Sequence, residues 1–157
     1  MPPTAGFRLQ VINRIVAVLQ AIVAGDNYFY TPYAVVKKFL LESELKGYPT
    51  YMVFASTGGN IEIASTNLYD ETFMVSVKGW VSDPSDTVTK VENAVRDIRR
   101  AINEDSKLGT AGSLGALTVE VRIKEPPDTD DGYWSIANLG FFDQRIEVTI
   151  SGDYGEL

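Results

Sequence analysis

The feature that most constrains the fold is an amphipathic pattern in residues 83–106, DPSDTVTKVENAVRDIRRAINEDS. Its larger apolar residues recur at steps of three and four: Val88, Val91, Val95, Ile98 and Ile102. This spacing predicts a helix with one apolar face, roughly 22 residues and about 33 Å long. Asp83 or Ser85 is expected to cap the helix, and Pro84 fits its first turn. Such a helix needs a second layer on which to bury its apolar face.

Alternation of apolar and polar residues predicts that this second layer is a β-sheet. The alternation is clearest in three stretches: residues 71–82, 116–125 and 141–151. Each of them offers one face to a core and one face to water. Residues 51–56 and 61–66 are predicted as two more strands, joined into a hairpin by the turn TGGN at 57–60.

A second helix is predicted near the start of the chain, in residues 7–24. Val11, Ile15, Val18 and Ile22 lie at helical spacing, and Gly25 follows where a left-handed C-terminal cap favours glycine. Residues 33–46 fit either a short strand or a helix, and both remain open.

The order of these elements predicts an α+β fold. We expect a largely antiparallel sheet with two main helices packed on one face, because runs of strands with segregated helices form this architecture. The chain has 157 residues, with 45% apolar and 22% charged residues. These values fit a single globular domain spanning residues 1–157.

Composition removes several classes of function. The chain contains no cysteine and no histidine, which excludes a disulfide framework, a thiolate zinc site, a Ser-His-Asp triad and a histidine metal centre. The net charge of −7 disfavours a nucleic-acid binder, which needs clustered Lys and Arg. No apolar run is long enough to cross a membrane, and the N-terminus lacks signal-peptide features. We therefore expect synthesis in a cytoplasm, no enzymatic activity, and no catalytic, cofactor or metal site.

Three aspartates late in the chain, Asp128, Asp130 and Asp131, stand in front of Gly132. A calcium loop starting at Asp128 would need glycine at position 6 and a glutamate at position 12. Here Gly132 falls at position 5 and Leu139 at position 12. A paired-carboxylate site needs one carboxylate shielded from water, which is not expected in a Pro/Gly loop. The favoured interpretation is a solvated acidic loop with a role in contacts.

Aromatic and arginine residues supply the other candidate contacts. Tyr28 and Tyr30 follow the first helix, and Tyr133 and Trp134 follow the acidic residues. Aromatic side chains are enriched at protein interfaces. Two arginines on the long helix complete the set: Arg96 and Arg100. They fit either a solvated helix face or a charge pair with another subunit. Four segments are expected to carry loop contacts: residues 56–60, 66–72, 108–116 and 126–140.

The order of these segments resembles the tail terminator, or tail-completion, proteins of long-tailed bacteriophages. Six segments carry the resemblance: the helix RLQVINRIVAVLQAIVAG, the aromatic YFYTPYAVV, the proline-led YPTYMVFAS…IEIAS, the strand ETFMVSVKGWV, the helix TVTKVENAVRDIRRAINED and the closing strand FFDQRIEVTI. Trp80 and the DIRRAI segment are its most suggestive details. Together the segments cover nearly the whole chain.

The resemblance implies a structural protein of the virion, in the tail or neck. It implies a ring-forming subunit, most often in a homohexamer, that caps the tail tube, stops its polymerisation and joins the head–neck connector. The expected partners are therefore further copies of the chain, the tail tube protein and the connector protein. DNA is expected to pass through the lumen without specific binding, because an acidic lumen repels phosphates.

Alternative functions remain open at this stage. A head-closure or tail-tube subunit would have the same general character, but a tube subunit polymerises into long stacks. A small Mg²⁺-dependent enzyme would need converging carboxylates with perturbed pKa values. A cellular ligand-binding domain would need a closed apolar pocket.

Overall fold

The computed structural model of the chain describes residues 6–63, 68–107, 113–124, 133–136 and 139–153, with the backbone alone at 56–63, 133–136 and 152–153. The helices are α1 (Phe7–Gln20), α2 (Thr87–Ser106) and the short α3 (Leu114–Leu117), with a 3-10 turn at Glu42–Glu44. The strands are β1 (Ala34–Val36), β2 (Thr50–Ile63), β3 (Leu68–Ser82), β4 (Glu120–Lys124), β5 (Tyr133–Ile136) and β6 (Leu139–Asp153).

The strands form one sheet in the order β1-β2-β3-β6-β4. Among the described strands, the short edge strand β1 is parallel to its neighbour, β2, and the other pairs are antiparallel. β4 and β5 pair with different stretches of β6, since Val121 lies opposite Val148 and Tyr133 lies opposite Phe142. The predicted α+β class with a largely antiparallel sheet is therefore confirmed.

One face of this sheet forms the core. Alternate residues of the central strands are buried there and pack with the apolar sides of α1 and α2, including Tyr51, Val53, Phe73, Val75, Val77, Phe142, Ile146 and Val148. The helices contribute Val11, Ile15, Leu19, Val91, Val95, Ile98 and Ile102. Both helices thus lie on the same side of the sheet, because their apolar stripes bury against the same alternating residues.

The opposite sheet face is covered only in part. Trp80 is 8% exposed and lies 5.3 Å from the ring of Phe141, centroid to centroid. Phe39, on the chain after β1, lies 5.0 Å from the Phe54 ring but is 75% exposed. Trp80, one of the details that carried the resemblance, is thus packed on the side of the sheet away from the helices.

Both helices differ from the predictions at their ends. α1 stops at Gln20, with Ala21 as its C-terminal cap, and not at the expected Gly25. The chain leaves the helix early because the N–H of Ala24 donates to the hydroxyl of Thr31 (2.8 Å), and that of Gly25 donates to the carbonyl of Tyr28 (3.0 Å). These two N–H groups therefore bond to the segment that follows α1, and not to carbonyl groups of the helix.

α2 begins at Thr87 and is capped by Asp86, whose carboxylate accepts from the N–H of Thr89 at 3.1 Å. The expected caps, Asp83 and Ser85, instead build the preceding turn: Asp83 accepts from the N–H of Ser85 at 2.8 Å. Pro84 therefore precedes the helix rather than lying in its first turn.

The predicted turn at 57–60 is wrong. β2 continues through it, and Gly59 and Asn60 pair with Phe73 and Thr72 of β3. The pairing register shifts between Ala55 and Gly59, so the glycines are accommodated as an irregularity in a long strand. Cross-strand pairing outweighed the local turn preference of Gly-Gly-Asn.

The segments predicted as contact loops are partly regular structure. Residues 56–60 lie in β2, 68–72 in β3, 114–116 in α3, and 133–136 with 139–140 in β5 and β6. In the undecided region 33–46, the structure forms β1 and the 3-10 turn, with no α-helix.

Candidate interaction surface

The aromatic segment after α1, residues 26–30, is held against α2 by a buried carboxylate. Asp97 is 1% exposed. One of its oxygens accepts from the N–H of Phe29 at 2.9 Å and from the N–H of Tyr30 at 2.9 Å, and the other lies 3.0 Å from the N–H of Phe29. A carboxylate that accepts backbone N–H groups fixes the path of the backbone that donates them. Segment 26–30 is therefore a shaped surface rather than a loose connection.

Burial raises the pKa of Asp97, while the two backbone N–H groups and the charges of Arg96 and Arg100 act to lower it. Burial has the larger effect, so the net shift is upward. Tyr51 lies beneath this region with its hydroxyl buried and without a hydrogen-bond partner among the described residues. Its pKa is raised, first by burial and then by the nearby charge of Asp97. The base of the surface is therefore a region of low polarity that contains one charge.

Three cationic side chains of α2 cover the rings of the segment. The guanidinium of Arg96 lies 5.3 Å from the Phe29 ring centre, and that of Arg100 lies 5.8 Å from the Tyr28 ring centre. The ammonium of Lys90 lies 5.5 Å from the ring of Tyr30. Such cation–π contacts stabilise by about 0.5–1 kcal/mol at exposed sites. The rings and cations of this surface therefore orient one another.

Two side-chain hydrogen bonds complete the arrangement. Arg100 donates from Nη2 to Oδ1 of Asn27 at 3.0 Å, and Asn93 donates to the hydroxyl of Tyr30 at 3.4 Å. Between these groups lies a small depression of about 90 Å³, whose lining includes Asn27, Phe29, Arg96 and Arg100. Phe29 is 44% exposed, and both arginines are exposed. The surface is therefore accessible to a partner.

The structure brings together four of the predicted contact residues and leaves the others undecided. Tyr28, Tyr30, Arg96 and Arg100 meet in the surface just described. The backbone of Tyr133 and Trp134 lies in β5, opposite Phe142 and Phe141. Asp128, Asp130 and Asp131 lie outside the described residues.

Sequence reasoning missed the residue that organises the surface. Asp97 is three residues after Ala94 and four before Ala101, both of them buried. That spacing places its side chain in the apolar stripe. A charged residue inside a buried stripe was the available signal, because such a group must have polar partners.

A second depression, of about 350 Å³, lies between α1 and α2. It is open to solvent, and its lining includes the small apolar residues Ala17, Ala21 and Ala101. At its edge Arg14 donates two hydrogen bonds to Asp105, from Nε at 3.0 Å and from Nη2 at 2.7 Å. This groove is thus a helix–helix seam whose lining includes an ion pair.

Within the described ranges, no group of three or more carboxylates converges to hold a metal ion. None of the helices in these ranges is long and apolar enough to cross a membrane.

Comparison of the sequence with models of protein families and with curated proteins finds no match.

Proposed function

We propose that this protein is a structural assembly protein that caps a phage tail tube as a ring, and so stops tube growth and joins the tail to the head–neck connector. The proposal combines the resemblance in element order with the α+β fold, which is the fold that the resemblance implies. Its ring form, six-fold count and partners are all part of the proposal.

The observation that best supports it is the preformed surface of segment 26–30 on α2. In this segment Phe29 is exposed, Tyr28 and Tyr30 are half-buried against the core, and Asp97 holds the backbone from below. A surface whose side chains are already oriented loses little entropy when a partner binds. Such a surface is suited to the assembly of subunits.

Imaging and size measurement of the purified protein test the proposal. Light scattering and negative-stain electron microscopy are expected to show a closed ring of uniform size with an open lumen. Long stacked tubes would assign the chain to the tube subunits instead. A protein that stays monomeric at its highest soluble concentration would contradict the ring.

A further inference from the structure

We infer that residues 37–41 of one copy of the chain, KKFLL, insert Phe39 and Leu41 into the groove between α1 and α2 of a second copy. Residues 37–41 are called the docking segment below. This inference rests on the proposed function and deepens it by naming the contact that joins neighbouring subunits. It depends on the exposure of the two apolar side chains, on the groove and its charges, and on the sheet that lies between them in one chain.

The docking segment presents two large apolar side chains to solvent. Phe39 is 75% exposed and Leu41 is 70% exposed. Between them, the N–H of Leu40 donates to the sulfur of Met52 at 3.1 Å, which ties the segment to β2. Exposed apolar side chains that cluster, rather than stand singly, are typical of protein interaction sites. The docking segment therefore has the character of an inserted element.

The groove between α1 and α2 is a recess of suitable size. Its volume is about 350 Å³, and pockets of roughly 300–1,000 Å³ hold small molecules. Its lining includes Ala17, Ala21 and Ala101, whose small side chains let an inserted side chain come close to both helices. Tyr28 also lines it, so the groove is continuous with the surface of segment 26–30. A partner seated in the groove therefore also reaches the preformed surface.

The charges beside the two surfaces are complementary. Lys38, which begins the apolar part of the docking segment, is exposed. At the groove, Arg14 and Asp105 neutralise each other, and Glu104 adds a further carboxylate to the lining. The side chain of Glu104 is 57% exposed, and its pair with Lys107 at 3.5 Å is a weak surface contact. Lys38 of one copy can therefore pair with Glu104 of the next.

The other charges near the docking segment are held by their own chain. Oε2 of Glu44 accepts from the N–H of Leu41 at 2.7 Å. The ammonium of Lys37 donates to Oδ1 of Asn13 on α1. Both bonds turn these charged groups back toward the fold. Lys38 is thus the cation of the segment that is placed to meet a partner.

The sheet separates the docking segment from the groove of its own chain. Phe39 packs on the ring of Phe54 in β2. The preceding residue, Val53, belongs to the core beneath the helices, and successive side chains of a strand point to opposite faces. Phe54 and Phe39 therefore lie on the face away from the helices, whereas the groove opens between the helices. The docking segment can accordingly reach the groove of another copy and not its own.

A contact between two different surfaces of identical subunits is head-to-tail. Such contacts close into a ring when the rotation between copies permits it and otherwise continue as a filament. The inferred contact is therefore of the type that a ring needs.

Single substitutions test the two sides of the contact. Phe39→Ser removes the inserted ring and Ala17→Phe fills the groove, and each should weaken self-association roughly 10- to 100-fold in sedimentation velocity. Val88→Ser is the control for the first, because Val88 is also 75% exposed. Ala24→Phe is the control for the second, because Ala24 is exposed and lies outside the groove lining. Both controls should associate like wild type, and circular dichroism checks that all four variants are folded. Equal association by a variant and its control would overturn the contact.

A mixture of the two variants tests the head-to-tail arrangement. Phe39→Ser keeps an intact groove, and Ala17→Phe keeps an intact docking segment. At a concentration where neither variant associates alone, an equimolar mixture should form a pair and stop there, because the free ends of that pair are the two altered surfaces. Rings from the mixture, or no association at all, would overturn the inference.

Charge reversal tests the orientation of the docking segment in the groove. Lys38→Glu and Glu104→Lys should each weaken self-association roughly 2- to 5-fold, the range for an exposed charge pair. The double variant should recover wild-type association, because its copies then meet with the reversed pair. Losses that simply add in the double variant would contradict the pairing of Lys38 with Glu104.

Disulfide trapping separates failure of this contact from failure of the ring proposal. The chain has no cysteine, so a Leu41→Cys variant and an Ala17→Cys variant can link only through the engineered thiols. Mixed under a mild oxidant, they should give more mixed dimer, identified by mass, than Leu41→Cys mixed with Ala24→Cys. Trapping without rings in wild type would support the contact and contradict the ring proposal. Rings that persist in Phe39→Ser and Ala17→Phe would overturn the contact and leave the ring proposal standing.

Discussion

Arg14 of α1 and Asp105 of α2 form a two-point ion pair, with nitrogen–oxygen distances of 3.0 and 2.7 Å. Asp105 also accepts from the N–H of Leu114 at 2.7 Å, so one carboxylate joins α1, α2 and the start of α3. Leu114 is fully buried. The pair therefore fixes how three helices meet above the sheet.

We expect Asp105→Asn to lower the free energy of unfolding by roughly 1–3 kcal/mol, because charge-assisted hydrogen bonds are lost and their donors remain. Urea unfolding followed by tryptophan fluorescence measures this. Glu104→Gln is the matched control, since Glu104 and Lys107 form an exposed pair at 3.5 Å that contributes little. Equal costs for the two substitutions would contradict the role of Asp105.

The contributions of Asp105 and Asp97 to stability should change with pH in opposite directions. Burial acts to raise the pKa of Asp105, but its bonds from Arg14 and Leu114 and the charge of Arg14 lower it below the ordinary 3.8. Its contribution is therefore present above pH 3.8 and lost as the pH falls through the lowered pKa. The pKa of Asp97 is raised. Between pH 3.8 and the raised pKa of Asp97, the folded state binds more protons than the unfolded state. The free energy of unfolding therefore falls as the pH rises through this range.

The direction of each effect is measured by comparing the free energy of unfolding of wild type with that of each Asn variant across the acidic pH range. The difference between wild type and Asp105→Asn should shrink toward low pH, whereas the difference between wild type and Asp97→Asn should grow. The same slope in both comparisons would contradict these pKa directions.

Asp97→Asn should loosen segment 26–30. An amide presents one oxygen and a donor nitrogen, so it cannot accept all the N–H groups that the carboxylate now binds. We expect a loss of roughly 1–3 kcal/mol and faster hydrogen exchange at the amides of Phe29 and Tyr30. Exchange at core amides such as that of Val75 is the internal reference. Unchanged exchange at Phe29 and Tyr30 would mean that Asp97 does not hold the segment.

Gly79→Ala should be strongly destabilising. A Cβ at this position would overlap the ring of Phe142, which lies directly opposite on β6. Overpacking of this kind costs roughly 1–3 kcal/mol or more. Gly25→Ala is the control, because a Cβ there meets nothing within 4 Å and should change stability by less than about 0.5 kcal/mol. Phe142→Leu should recover part of the loss in the double variant; strict additivity would argue against the overlap.

The elements that the sequence predicted well are those with a long buried stripe. Val91, Val95, Ile98 and Ile102 mark α2, and Phe73, Val75 and Val77 mark β3, because the period of burial repeats several times in each. Short signals failed where distant pairing decided the outcome. The Gly-Gly-Asn of residues 58–60 has a local turn preference, but pairing with β3 extends β2 through it.

The candidate surface was predictable in its members but not in its organisation. Tyr28, Tyr30, Arg96 and Arg100 were all identified from residue type and position. Their proximity could not be predicted, because it depends on the chain turning back after Gln20 and on Asp97 holding that turn. Contacts between residues separated by nearly 70 positions are not visible in local periodicity.

The link between Asp97 and the aromatic segment sets an order of events in biogenesis. Residues 26–30 leave the ribosome long before α2, yet their shape depends on a carboxylate 67 and 68 residues later. A nascent or truncated chain that lacks α2 therefore cannot hold this segment in its folded shape, even though it already contains Tyr28 and Phe29. The surface is complete only after α2 has folded, so its shape reports that the domain is finished.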